Sequence, residues 1–111
     1  MEKTLTIDGK QVRFKSTGAT PLRYQTQFGR SFFRDLANLY EGGSKKKVDA
    51  NDWSKINFET FYYIAWTFAK TADQSIPAPM EWLDSFDEFP IAEIATELQE
   101  MITRTLETKK N

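Results

Sequence analysis

Residues 4–14 read TLTIDGKQVRF, and this stretch decides the fold of the N-terminal part of the chain. Apolar and polar residues alternate in it, with the apolar ones at Leu5, Ile7, Val12 and Phe14. A period of two is typical of half-buried strands. Asp8 and Gly9 at its centre both tolerate positive φ, so they fit a two-residue primed turn. Such a turn pairs Leu5 with Val12 and puts all four apolar residues on one face.

The pattern therefore predicts a β-hairpin over residues 1–16. A lone hairpin is only marginally stable in water. We expect it either to lie on helices or to offer its open edge to another strand.

The following segment predicts one amphipathic helix over residues 20–41. Thr20 fits the N-cap and Pro21 fits the first turn. Polar residues with helical spacing form a stripe: Arg23, Gln27, Arg30, Arg34 and Glu41. The stripe continues across Gly29, although a glycine inside a helix costs about 1 kcal/mol relative to alanine. The alternatives for Gly29 are close approach of a neighbouring element and a kink that splits the helix. A flexible loop is expected over residues 42–53.

Residues 54–72 predict a second helix, which is apolar over most of its circumference. This pattern is typical of the central core helix of a small domain. Its apolar face carries Phe58, Phe61, Tyr62, Ala65, Phe68 and Ala69. Tyr63 falls on the narrow polar side and Trp66 at its edge, so both are predicted to contact a partner. The alternative is that another element of the fold covers them.

Two more helices are predicted in the C-terminal part. A short helix over residues 79–86 begins at Pro79, and a longer one over residues 90–107 has apolar residues at a period of 3.6. At 111 residues the chain is expected to form a single domain, residues 1–111. The predicted fold class is small α+β, mainly α with an N-terminal β-hairpin, in which about four helices pack around a central aromatic-rich helix.

The charge balance argues against two classes of partner. Lys and Arg number 15 and Asp and Glu number 16, for a net charge of −1. A dedicated nucleic-acid binder usually carries a basic excess, and so does a protein held electrostatically on a membrane. No apolar run approaches the roughly 18 residues of a membrane span. We therefore expect neither a nucleic acid nor a membrane as partner.

The side-chain chemistry argues against catalysis. The chain contains no histidine and no cysteine, hence no imidazole base, thiol nucleophile or soft metal site. One acidic cluster could serve as acid and base or hold a hard cation: Glu81, Asp84, Asp87 and Glu88. Its spacing matches no calcium loop, and solvated helix flanks explain it more simply. We therefore predict no enzyme activity, no catalytic or metal-binding residue and no cofactor.

The aromatic content favours protein contact. Nine Phe, four Tyr and three Trp are many rings for one small core, so some are expected at a surface that meets another protein. The predicted partner-binding residues are Tyr63, Trp66, Phe32 and Phe33. The alternative is that the rings fill a core poor in leucine and valine.

Charge patterning predicts self-association. The first long helix carries Arg23, Arg30 and Arg34, whereas the last carries Glu93, Glu97 and Glu100. Opposite potentials on two faces of one molecule can join copies head to tail. The alternative is that both faces are ordinary solvated surfaces.

Several segments also resemble a known family. They are LTIDGK at residues 5–10, ATPLRY at 19–24, FGR at 28–30, FFRDL at 32–36, FYYIAWTFA at 61–69 and the WL pair at 82–83. Together they resemble the tail assembly chaperones of long-tailed bacteriophages and prophages, especially those of Gram-positive hosts. The similarity spans most of the chain and consists of hydrophobic and turn residues.

The resemblance implies a small, mainly helical, non-enzymatic protein that works in the cytoplasm of the bacterial host. Such proteins bind the tape measure protein, keep it soluble, help recruit tail tube protein around it and are absent from the mature virion. Many families also make a longer form by translational frameshift. The alternatives are another phage morphogenesis part, such as a head–tail connector, and a small regulator or inhibitor of a host protein. A third is an enzyme that uses the acidic cluster.

Overall fold

The N-terminal β-hairpin forms as its alternation predicts. The computed structural model describes residues 1–39 and 56–109. Strand β1 (Glu2–Ile7) pairs antiparallel with β2 (Lys10–Lys15), and Leu5 lies opposite Val12. Asp8 and Gly9 have φ of 54° and 75°, the two positive values that a type I′ turn requires. The predicted turn and register are therefore confirmed.

The single helix predicted over residues 20–41 is wrong, because the chain bends after Phe28. Helix α1 (Thr20–Phe28) ends at Gly29, which has φ of 68° and donates its N–H to the Gln25 carbonyl at 2.7 Å. Helix α2 (Phe32–Ala37) then begins at its N-cap Ser31, whose hydroxyl accepts the Arg34 N–H at 3.3 Å. The alternative of a split at Gly29 is the one observed. Residues 40–41 lie outside the described part.

The start of α1 also differs in detail from the prediction. Ala19 occupies the N-cap position, and no side chain caps the helix there. Thr20 is instead the first helical residue and is fully buried. Its hydroxyl accepts the Thr17 N–H at 2.9 Å, so it closes the turn that leads into the helix. Pro21 lies in the first turn, as predicted.

Helix α3 (Phe58–Ala72) is the centre of the fold. It packs against β2, α1 and α2. Asn57 is its N-cap, with the side-chain oxygen accepting the Thr60 N–H at 3.2 Å. The helix thus begins later than the predicted residue 54, because Asn57 supplies the cap. Residues on most of its circumference are buried: Thr60, Phe61, Ile64, Ala65, Trp66, Thr67, Phe68 and Ala69.

Two helices close the remaining sides of the core. Helix α4 (Pro79–Asp84) packs against α3 and ends two residues before the predicted limit, and α5 (Ile91–Lys109) packs against β1 and α2. The loop predicted over residues 42–53 lies outside the described residues. The predicted fold class, a small and mainly helical α+β protein with an N-terminal hairpin, is confirmed. In the described residues, no helix has the length and apolar character needed to span a membrane.

The hairpin turn is tied to the end of α4 by polar contacts. The Asp8 carboxylate accepts the Asp87 N–H at 2.9 Å, and the Lys10 ammonium donates to the Ser85 carbonyl. The same ammonium lies 5.2 Å from the centre of the Phe86 ring. These contacts place the hairpin over the core and leave its opposite end beside α1 and α5.

Candidate protein-docking site

A buried carboxylate holds the bend between α1 and α2. Asp35 is only 9% exposed, and its Oδ2 accepts the Tyr24 hydroxyl at 2.6 Å and the Arg30 Nε–H at 2.8 Å. Arg30 also lies 3.7 Å from the Glu59 carboxylate on α3. A buried charge is tolerated when it is paired and hydrogen-bonded, as here. We call Tyr24, Arg30, Asp35, Glu59 and Tyr63 the elbow network.

The contacts of the elbow network raise the pKa values of three of its members. Burial, followed by the hydrogen bond to Asp35, raises the pKa of Tyr24 well above its ordinary value. The same carboxylate, through its hydrogen bond, raises the pKa of Arg30. Burial and the bond to Glu59 raise the pKa of Tyr63. Each shift moves a group away from neutral pH, whereas a general acid or base needs a pKa near the working pH.

Two of the predicted contact aromatics are core residues, which corrects the sequence-based interpretation. Trp66 is 3% exposed and its indole N–H donates to the Pro77 carbonyl at 2.9 Å. Phe32 is 2% exposed and packs edge-to-face on Tyr24, with ring centres 5.2 Å apart. Both rings face neighbouring elements, so neither can present a large surface to a partner.

The other two predicted contact aromatics are half-buried. Tyr63 stacks on Phe28 with ring centres 4.2 Å apart and donates its hydroxyl to Glu59 at 3.2 Å. Phe33 packs edge-to-face on Phe32 and lines a surface groove. Contact of Tyr63 and Phe33 with a partner stays a prediction.

An exposed leucine lies between two grooves at the start of α1. Leu22 is 68% exposed, although it occupies a structured helix. On one side lies what we call the apolar groove, about 720 Å³ in volume, between the hairpin end, α1, α2 and α5. Its walls are mainly apolar, with a few polar residues among them: Met1, Gly18, Pro21, Leu22, Phe33 and Met101, together with Ser16, Thr17, Arg104 and Thr105. An apolar concavity beside an exposed apolar side chain can receive one face of an amphipathic helix.

The second groove, on the other side of Leu22, is smaller and basic. It has a volume of about 370 Å³ and runs between α1 and α3. Its walls include Leu22, Arg23, Thr26, Gln27, Trp66 and Lys70. We call it the cationic groove, because Arg23 and Lys70 line it and no acidic residue of the described chain does.

The arginines predicted for self-association do not form one stripe. The bend at Gly29 separates α1 from α2, and Arg30 is engaged inside the elbow network. Arg23 lines the cationic groove, whereas Arg34 is exposed on α2. The predicted continuous stripe is therefore wrong, since it required one straight helix.

The glutamates of α5 are exposed, and two of them pair within the molecule. Glu97 lies 3.1 Å from the Lys3 ammonium and Glu100 lies 3.5 Å from Arg104. Exposed pairs of this kind contribute little to stability. Glu93 is exposed in the first turn of α5. Self-association through this face stays a prediction.

The acidic cluster at α4 does not converge. Its four members are exposed, and within the described residues no group of three or more acidic side chains is placed to hold a metal ion.

Comparison of the chain with models of protein families, with curated proteins and with solved structures finds no match.

Sequence reasoning missed Leu22 and the grooves beside it. A signal was present, because Leu22 is an apolar residue directly after the helix-starting Pro21 and next to the polar stripe that begins at Arg23. The grooves themselves combine Met1, the turn between β2 and α1, and residues of α1, α2, α3 and α5, so no local pattern points to them.

Proposed function

We propose that this protein is a non-enzymatic phage tail assembly chaperone that binds the tape measure protein and assists assembly of the tail tube around it. The observation that carries the proposal is the apolar groove with Leu22 exposed at its rim. The resemblance of residues 5–36 and 61–83 to tail assembly chaperones supplies the identity of the client.

The groove suits a client with an amphipathic helix. Such a helix presents an apolar stripe to its partner and keeps polar groups in water. Half-buried Phe33 in the wall and exposed Leu22 at the rim give the stripe an apolar surface to cover. Burying a whole leucine side chain contributes about 1.5–3 kcal/mol. Because Leu22 is 68% exposed, covering it is worth about two thirds of that, about 1–2 kcal/mol or on the order of tenfold in affinity.

The proposal includes the place of action. A holdase acts before the tail is complete, so the protein works in the cytoplasm of the bacterial host and leaves before the virion matures. Detection of the chain in purified virions would instead favour a head–tail connector.

The test is co-expression with the tape measure protein of the phage or prophage that encodes the chain. We expect the chain to keep that protein soluble and to co-purify with it. Leu22→Ser should weaken the complex about tenfold, because it removes the exposed apolar side chain at the groove. Met80→Ser is the matched control, since Met80 is 71% exposed on α4 and lines neither groove.

Two results would overturn the proposal. One is a tape measure protein that stays insoluble or never co-purifies with the chain. The other is a Leu22→Ser variant that binds as tightly as the wild type, or no more weakly than Met80→Ser. Circular dichroism of both variants checks that the fold is intact.

A further inference from the structure

The cationic groove contains a charge that the described chain does not neutralise. Arg23 is half-buried, and its Nε is inaccessible to solvent and has no hydrogen-bond partner. No ion pair joins Arg23 to a carboxylate of the described residues. A buried donor without a partner loses hydration and gains nothing in return. A negative group entering the groove would pair with the guanidinium charge, which no described carboxylate neutralises.

Lys70 provides a second positive charge in the same groove. Its ammonium donates to the carbonyls of Gln74 and Ile76, both at 2.8 Å, and lies 5.9 Å from the centre of the Trp66 ring. These contacts hold the charge in place. An ammonium has three donors, so one remains after the two carbonyls are served.

The chemistry of the surroundings selects the kind of anion. The apolar groove lies directly beside the cationic groove, because Leu22 lines both. A ligand that spans them must combine an apolar surface with a nearby negative charge. A nucleic acid does not fit this description, and a chain of net charge −1 lacks the basic excess that binds one.

We propose that the cationic groove binds an aspartate or glutamate of a partner helix, next to the apolar residue that covers Leu22. The inference rests on the proposed function for the identity of the partner. It adds a requirement on the client: its docking segment carries a carboxylate beside its apolar stripe. On a helix, a carboxylate three or four residues from the Leu22-covering residue meets this requirement.

The main experiment measures the affinity of the chain for the tape measure protein at low and high salt. Arg23→Gln removes the charge and is expected to weaken binding about tenfold or more at low salt, with a smaller salt dependence than the wild type. Arg23→Lys keeps the charge and should retain most of the affinity. Arg34→Gln is the matched control, because Arg34 is an exposed cation that lines neither groove.

A second variant avoids any effect of Arg23 on folding. Thr26 is exposed on α1 and lines the cationic groove, and glutamate is a good helix former. Thr26→Glu places a carboxylate in the groove and should weaken client binding, whereas Thr26→Gln should not. Thermal unfolding of each variant confirms that the fold is retained.

The outcomes separate this inference from the proposed function. If Leu22→Ser loses binding while Arg23→Gln and Thr26→Glu bind like the wild type, the carboxylate inference fails and the chaperone proposal stands. If none of the three weakens binding, both fail. Two further results assign the groove to another occupant and overturn the inference. One is that inorganic phosphate competes with the tape measure protein at low salt while Thr26→Glu keeps its full affinity for that protein. The other is that the free chain self-associates and Arg23→Gln abolishes this self-association.

Discussion

Replacement of Gly29 by alanine is expected to destabilise the protein by about 1–2 kcal/mol. Gly29 has φ of 68°, and an L-residue in the left-handed region costs roughly that amount. Steric clash does not contribute to this loss of stability, because a methyl group at this position meets no atom within 4 Å. The whole effect is therefore backbone conformation. A straight helix through Gly29 would give the opposite sign, since alanine in a helix interior is about 1 kcal/mol better than glycine.

The assay is urea unfolding followed by far-ultraviolet circular dichroism. Gly18→Ala is the matched control, because its methyl group also meets nothing within 4 Å and its φ is not positive. We expect that variant to stay within about 0.5 kcal/mol of the wild type. Gly29→Asn should fall between glycine and alanine, since asparagine tolerates the left-handed region. An unchanged or raised stability of Gly29→Ala would refute the bent arrangement of α1 and α2.

Two further predictions concern the elbow network. Asp35→Asn should lower the free energy of unfolding by about 2–3 kcal/mol, because Tyr24 and Arg30 lose their charged acceptor. The control is Asp84→Asn at an exposed position, which should change the free energy of unfolding by less than about 0.5 kcal/mol in the same urea titration. The second prediction concerns the pH dependence of stability and follows from the raised pKa of Tyr24. The folded state holds that proton more tightly than the unfolded state, so the linked stability is present below the ordinary pKa of 10.0 and is lost as the pH rises above it. The urea midpoint of the wild type should therefore fall between about pH 8 and about pH 11, and that of Tyr24→Phe should fall less steeply. Equal pH dependence of the two midpoints would contradict this assignment.

The bend at Gly29 also explains why Phe32 is a core residue. Because the chain bends at Gly29, Phe32 turns into the core beside Tyr24, whereas Phe28 reaches Tyr63 through the packing of α1 on α3. In a straight helix Phe32 would lie eight residues, about 12 Å, along the axis from Tyr24, too far for this contact. The pattern of apolar residues could not distinguish the two arrangements, since both place the same residues on an apolar side.

The candidate site was only partly predictable for the same reason. Phe33 was named as a contact residue and does line the apolar groove, but Leu22 and Met101 were not. Arg23 was named for its place in a stripe, whereas its position beside Lys70 depends on how α1 crosses α3. Residues far apart in the chain meet only after packing, and a single sequence does not report which ones do.

What the sequence determined alone is the local structure. Alternation around Asp8 and Gly9 specified the hairpin and its register, because a shift of one residue would turn every side chain to the opposite face. A nearly all-round apolar segment likewise specified the central helix. Tertiary packing decided the bend at Gly29, the burial of Trp66 and the two grooves beside Leu22. The physical reason is that periodicity reports which face of an element avoids water, whereas the neighbour that covers this face is chosen by contacts between distant parts of the chain.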